Sequence, residues 1–165
     1  MKKLILAALI ALPMSAFAQK FAHVNSATII PAMPEYTTAQ TELQTLGNQY
    51  QDEIQRMQDE LKSKYEDYQK NGASLPDATK QRREQELTDL QKRLQQYGQT
   101  AEQEMAKAEQ EKLQAISEKV TKAIQEIGTA GGYVYIMDTS AGIPFINETI
   151  STDVTNQVKA KLGIK

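Results

Sequence analysis

The chain has 165 residues, with 19 basic and 21 acidic side chains and a formal net charge of −2. That is enough for one domain, or one domain with an appendage, and it gives no electrostatic footprint for a nucleic-acid partner. There is no Cys, no Trp and a single His, so disulfide frameworks, zinc fingers, Cys nucleophiles and any three-His metal centre are excluded. Between Gln40 and Gln125 stand 17 Gln among Glu, Lys, Ala and Leu, a helix-forming mixture too polar to be buried on all sides.

Residues 1–18 read as a sorting segment. Lys2 and Lys3 precede the apolar run Leu4 to Leu12, Pro13 breaks it, and Ala16-Phe17-Ala18 is a small-x-small cleavage site. This is the pattern of a secretory signal peptide, too short to span a membrane. Cleavage after Ala18 leaves 147 residues from Gln19 with a net charge of −4. It places the mature chain outside the cytoplasm, where no ATP is expected.

The rest predicts an α+β fold: a small β body from residues 19–34 and 128–165, and a long helical hairpin from residues 35–127. Lys20 to Asn25 suits a short strand. Ser26 to Met33 is a brief helix or turn, kept short by Pro31 and Pro34. From Glu35 to about Lys70 the larger apolar residues Leu43, Leu46, Tyr50, Ile54, Met57, Leu61, Tyr65 and Tyr68 recur at steps of 3, 4, 4, 3, 4, 4 and 3. One stripe therefore runs down one face, and the eleven-residue repeat favours a straight or slightly right-handed seam.

Asn71-Gly72 stops this helix with a left-handed cap. Ser74-Leu75-Pro76-Asp77 restarts it as a capping box, and a second helix runs from about Leu75 to Ile127. So short a loop makes the helices antiparallel neighbours, in an arm of roughly 54 Å. Gly128, Gly131 and Gly132 end the second helix. Tyr133 to Met137 is a strong β run, Ile143 to Ile146 a second short strand, and Ser151 with Asp153 opens a last amphipathic helix stopped by Gly163.

Three short strands and one small helix make a marginal core. The apolar residues of the body strands, Phe21, Val24, Val134 and Ile136, have no evident partner in one chain, so the reading requires association in which several chains close one body.

The order of elements resembles the Skp (OmpH-type) periplasmic chaperones. The resemblance covers essentially the whole mature chain and is carried by KFAHVNSATII at Lys20 to Ile30, YVYIMD at Tyr133 to Asp138 and STDVTNQVKAKL at Ser151 to Leu162. The family's last helix typically opens with Asp-Ile-Thr or Asp-Leu-Thr, where this chain has Asp153-Val154-Thr155 or Ile150-Ser151-Thr152-Asp153. The resemblance implies a homotrimer in which a β body joins three helical arms around a cavity. That cavity would hold unfolded outer-membrane proteins in transit, without ATP and without catalysis.

The chemistry of the residues offers no competing site. His23 is the only imidazole and reads as a strand side chain. The Glu pairs lie on solvated helix faces without a pocket to shift their pKa values. Gly128 to Gly132 precedes a strand and lacks the Lys of a phosphate loop. Asn147-Glu148-Thr149 fits a glycosylation sequon, though not in a chain of prokaryotic character. No cofactor or metal is expected. A structural coiled-coil spacer or scaffold of the envelope stays open as the alternative; for a small secreted enzyme there is no site.

Three groups of arm residues carry functional expectations. Tyr50, Met57, Tyr65, Tyr68, Tyr97 and Met105 are adaptable amphipathic side chains suited to weak contact with many unfolded clients, or else simply the hairpin seam. Lys62, Lys64, Lys70, Lys80, Arg82 and Arg83 outnumber the acids around the hairpin turn and suit an anionic membrane surface. Gly47 and Gly98 interrupt the two helices at a cost of about 1 kcal/mol each. With the turn centred near Ala73, residues facing each other should have numbers summing to roughly 146, which sets the two glycines at one height and makes them hinge candidates.

Overall fold

The computed structural model describes residues 19–164, and the expected signal peptide lies outside the described residues. The chain divides into two compact units: residues up to Met33 together with those from Glu118 onward, and Pro34–Ser117.

The first unit is built on a three-stranded sheet. β1 (Lys20–Val24) lies between β2 (Tyr133–Asp138) and β3 (Ser151–Asp153), in the order β2-β1-β3. Both pairings are parallel, with Ala22 beside Ile136 and Thr152. Parallel neighbours need a crossover connection, and between β1 and β2 that crossover is the helical hairpin itself. The short helix α1 (Ser26–Ile29) passes into a 3-10 turn at Ile30–Ala32, with Pro31 in its first turn. On the sheet's inner side Ala22, Val24, Ile29, Met33, Val120, Ala123, Val154 and Val158 are buried.

Polar bonds fix the strand ends. Asp138 Oδ1 accepts the N–H of Ser26 at 3.2 Å and that of Ser140 at 3.0 Å, and Oδ2 accepts the Ser26 hydroxyl. Partial burial pushes the Asp138 carboxyl up, but the Ser26 and Ser140 bonds outweigh it and hold its pKa below the ordinary value. Val154 donates its N–H to His23 O at 2.9 Å.

The expected strand at Ile143 to Ile146 does not form; the third strand is Ser151–Asp153. Pro144 has no N–H to give a ladder. The polar Ser151-Thr152-Asp153 segment, which the sequence assigned to a helix start, pairs instead through its backbone with β1. The last helix, α4 (Thr155–Lys161), begins after it. Asp153 Oδ1 accepts the Thr155 N–H at 2.8 Å.

The second unit pairs α2 (Pro34–Asn71) with the larger part of α3 (Asp77–Gly131). The turn differs from the expected caps. Asn71 has φ −112° and Gly72 does not adopt positive φ; residues Gly72–Ser74 form a 3-10 turn instead. Gly72 gives the Tyr68 ring room for close approach: a Cβ there would lie 3.2 Å from it, and the ring would have to give by a few tenths of an ångström. Ser74 donates its hydroxyl back to Asn71 O at 2.8 Å and forms no capping box, and Pro76 O accepts the N–H groups of Thr79 and Lys80.

Candidate functional site

The arm's stripe is only half buried, and polar bonds close it. Tyr50 and Tyr68 donate their hydroxyls across the arm to Glu104 and Glu84. Lys64 bonds Glu86, and Lys112 bonds Glu42. The hydrogen bonds to Glu104 and Glu84 raise the pKa of Tyr50 and Tyr68, and the Lys64 ammonium lowers that of Glu86. Tyr97 packs edge-on against Tyr50, with ring centroids 6.1 Å apart. Of the six client-contact candidates, Tyr50, Tyr68 and Tyr97 are therefore engaged in the seam. Met57 and Met105 are half-buried, and Tyr65 alone is more than half exposed, at 52 %.

These bonds also set the register. The four cross-arm polar pairs have residue numbers that sum to between 150 and 154, and Met105 Cε lies 3.7 Å from where a Gly47 Cβ would sit. Gly98 is seven residues from Met105, about two helical turns or ~10 Å along α3. The two glycines are thus not at one height, which corrects the geometry behind the paired hinge. The turn spends more residues on the α3 side than a symmetric loop would, because Gly72 to Pro76 intervene before α3 begins.

The basic candidates do not form one free cluster. Lys64 is held by Glu86, and Arg83 Nη1 lies 3.8 Å from the same carboxylate. Lys62, Lys70, Lys80 and Arg82 are exposed and make no ion pair among the described residues. Glu84 and Glu86, the next acids along α3 after Arg83, dilute the positive balance.

In the body, strand alternation separates two faces. Val24 is buried within its own unit, and Ile136 is half-buried beside buried Ala22 and approaches Gly128 of α3. This corrects the expectation that both lack a partner in one chain. The opposite face is uncovered. Phe21 packs on Tyr135 with ring centroids 4.9 Å apart, and Met137 lies beside His23. Phe145 and Ile150 stand 78 % and 64 % exposed; Val134, 58 % exposed, alternates with Tyr135 and so belongs to the Ile136 face of the edge strand β2. The alternation within Tyr133 to Met137 carried the signal for Tyr135 and Met137. Phe145 and Ile150 sit in an irregular segment with no periodicity to reveal them.

His23 Nδ1 lies 2.9 Å from Ser151 Oγ. Asp153 Oδ1 accepts the Thr155 N–H, and among the described residues no hydrogen bond joins the Asp153 carboxylate to His23, so the three do not form a hydrogen-bonded nucleophile, base and orienting acid. Among the described residues no group of acids and histidine is placed to hold a metal ion.

The profile of the family described as outer membrane protein (OmpH-like) matches residues 20–162. The chain belongs to the OmpH-like family. A chaperone protein Skp of Yersinia enterocolitica is 26 % identical over 164 residues, covering 96 % of this chain and all of the relative. One of Photorhabdus laumondii is 29 % identical over 165 residues with the same coverage. A solved structure of a putative outer membrane chaperone (OmpH-like) from Caulobacter crescentus shares the fold with a TM-score of 0.75 at 17 % identity, covering 90 % of this chain and 86 % of that one. These relatives are chaperones, not enzymes, and the α+β architecture is theirs. No helix among the described residues is long and apolar enough to cross a membrane.

Proposed function

We propose that this OmpH-like chain is a periplasmic holdase that binds unfolded outer-membrane proteins between helical arms, without ATP. The observation that carries the reading is the match to chaperone relatives along their full length, and the half-buried arm, with its adaptable apolar and polar side chains, suits the task. Delivery to the periplasm follows from the signal peptide, with cleavage after Ala18.

The working form is a homotrimer. An all-parallel sheet is normally covered on both faces, and here the face of Phe21, Tyr135 and Met137, flanked by Phe145 and Ile150, is bare within one chain. A contiguous apolar patch of this kind marks an association surface. Peripheral contact with anionic membranes rests on the four unpaired cations near the turn and is the weaker part of the proposal.

The test is dilution of a urea-unfolded β-barrel membrane protein into buffer without nucleotide. A near-stoichiometric amount of the trimer keeps the client from scattering light. Aggregation at the rate seen without the protein rejects the holdase and favours the spacer.

A further inference from the structure

The arm carries one groove twice. A cavity of about 430 Å³ is lined on α2 by Gln58, Leu61, Lys62 and Tyr65. A second, of about 500 Å³, is lined on α2 by Gln40, Leu43, Gln44 and Gly47. Each residue of the first set is 18 positions beyond its counterpart in the second. On α3 the same offset relates Leu87 to Met105 and Gln91 to Glu109. Eighteen residues are about five turns of an α-helix, so both grooves open on one face of the arm, ~27 Å apart. Because the helices are antiparallel, the offset recurs on both, and each groove keeps a Leu wall, an apolar residue opposite and amide side chains at the rim.

We propose that the two grooves together hold a single extended polypeptide segment of alternating apolar and polar residues, seating apolar side chains eight residues apart. This rests on the reading of the chain as a chaperone for unfolded outer-membrane proteins. Three features select that occupant. Eight residues of extended chain at ~3.4 Å each also span ~27 Å, and residues i and i+8 point to the same side of a strand. A transmembrane β-strand has about 9–11 residues with one apolar side, so one such strand reaches both grooves. The rim amides both donate and accept hydrogen bonds, which suits an unpaired main chain of any sequence.

The charges are complementary to a directed segment. Lys62 borders the groove nearer the turn and Glu109 the farther one, and neither makes an ion pair among the described residues. An acidic residue at one end of the segment and a basic residue at the other therefore fix its direction. Lys62 is the one cation among the residues lining the two grooves, whereas an anionic lipid surface gains from clustered Lys and Arg.

The experiment uses the full assembled protein and two eleven-residue fluorescent peptides of identical composition. One carries Phe at positions eight apart and the other at positions seven apart, on opposite sides of the extended chain. Linked contacts act through effective concentration, so the first peptide should bind at least tenfold tighter. Gly47→Gln fills the farther groove and favours helix, since a Cβ there meets only Met105 Cε at 3.7 Å. Tyr65→Ala strips the nearer groove at an exposed position. Each should bring both peptides to the same weak affinity. Equal binding of the two peptides by the unmodified protein overturns the inference, as does a spacing preference that survives both substitutions. So does displacement of peptide by anionic phospholipid vesicles that is lost in the two variants, which assigns the grooves to lipid. Suppression of β-barrel aggregation, measured in parallel, separates the failures: if it persists without a spacing preference, the chaperone reading stands and the two-groove inference falls.

Discussion

The body and the arm are stabilised in different ways. Of the twelve buried hydrophobic residues among those described, eight belong to the body and four, Ala39, Leu90, Ala101 and Ile116, to the longer arm. The body is therefore held by burial, with Asp138 fastening its strand end and Thr155 Oγ1 accepting the Asn25 N–H at 3.0 Å, whereas the arm depends on a half-wet stripe closed by Tyr–Glu and Lys–Glu bonds. Exposed interactions of that kind contribute little each. The division suits the proposed roles of an associating body and a client-holding arm, since local stability governs local opening.

The largest effect is expected from the body core. Ile29→Ala removes a fully buried side chain and should cost about 2–5 kcal/mol, read by urea unfolding. Leu61→Ala, at a half-buried arm position, should cost less than half as much. Equal losses would erase the contrast.

Next comes Asp138. Its folded pKa is depressed, so its contribution is complete above the ordinary carboxylate range and is lost as pH falls through the folded value. Asp138→Ala should destabilise the body by about 1.5–3 kcal/mol at neutral pH, as hydrogen bonds to a charged group do, and flatten the acid limb of the stability curve. A variant with an unchanged acid limb would remove this fastening from the account.

Smaller effects belong to the arm. Gly98→Ala places a Cβ where nothing lies within 4 Å and should stabilise α3 by about 1 kcal/mol. Amide exchange then slows around residue 98 without a matching change at Gly47, because the two are not opposed. Coupled slowing at both would restore the paired hinge. Tyr68→Phe deletes one exposed bond to Glu84 and should leave the urea midpoint almost unchanged.

The elements legible in the sequence were those with a period. The stripe from Leu43 to Tyr68 announced α2, and YVYIMD announced β2. The strand Ser151–Asp153 was illegible because three polar residues pair through backbone groups alone. The arm's register was illegible too: an eleven-residue stripe accommodates several alignments, and the choice falls to Gly72 beneath the Tyr68 ring and to cross-arm bonds that no spacing rule encodes. Among the candidate contacts, sequence could name the tyrosines but could not tell Tyr65, which is exposed, from Tyr50 and Tyr68, which the glutamates hold. The repeated groove was visible only once α3 had a partner register.

The most direct test of the division of labour is site-specific photo-crosslinking to an unfolded β-barrel protein, with the reactive side chain placed at Gln58, Gln40 or, in the body, Thr28. Strong client adducts at both arm positions and background at Thr28 are the predicted result. Adducts at Thr28 equal to those on the arm, or none at Gln58 and Gln40, would contradict a holding arm on an assembling body.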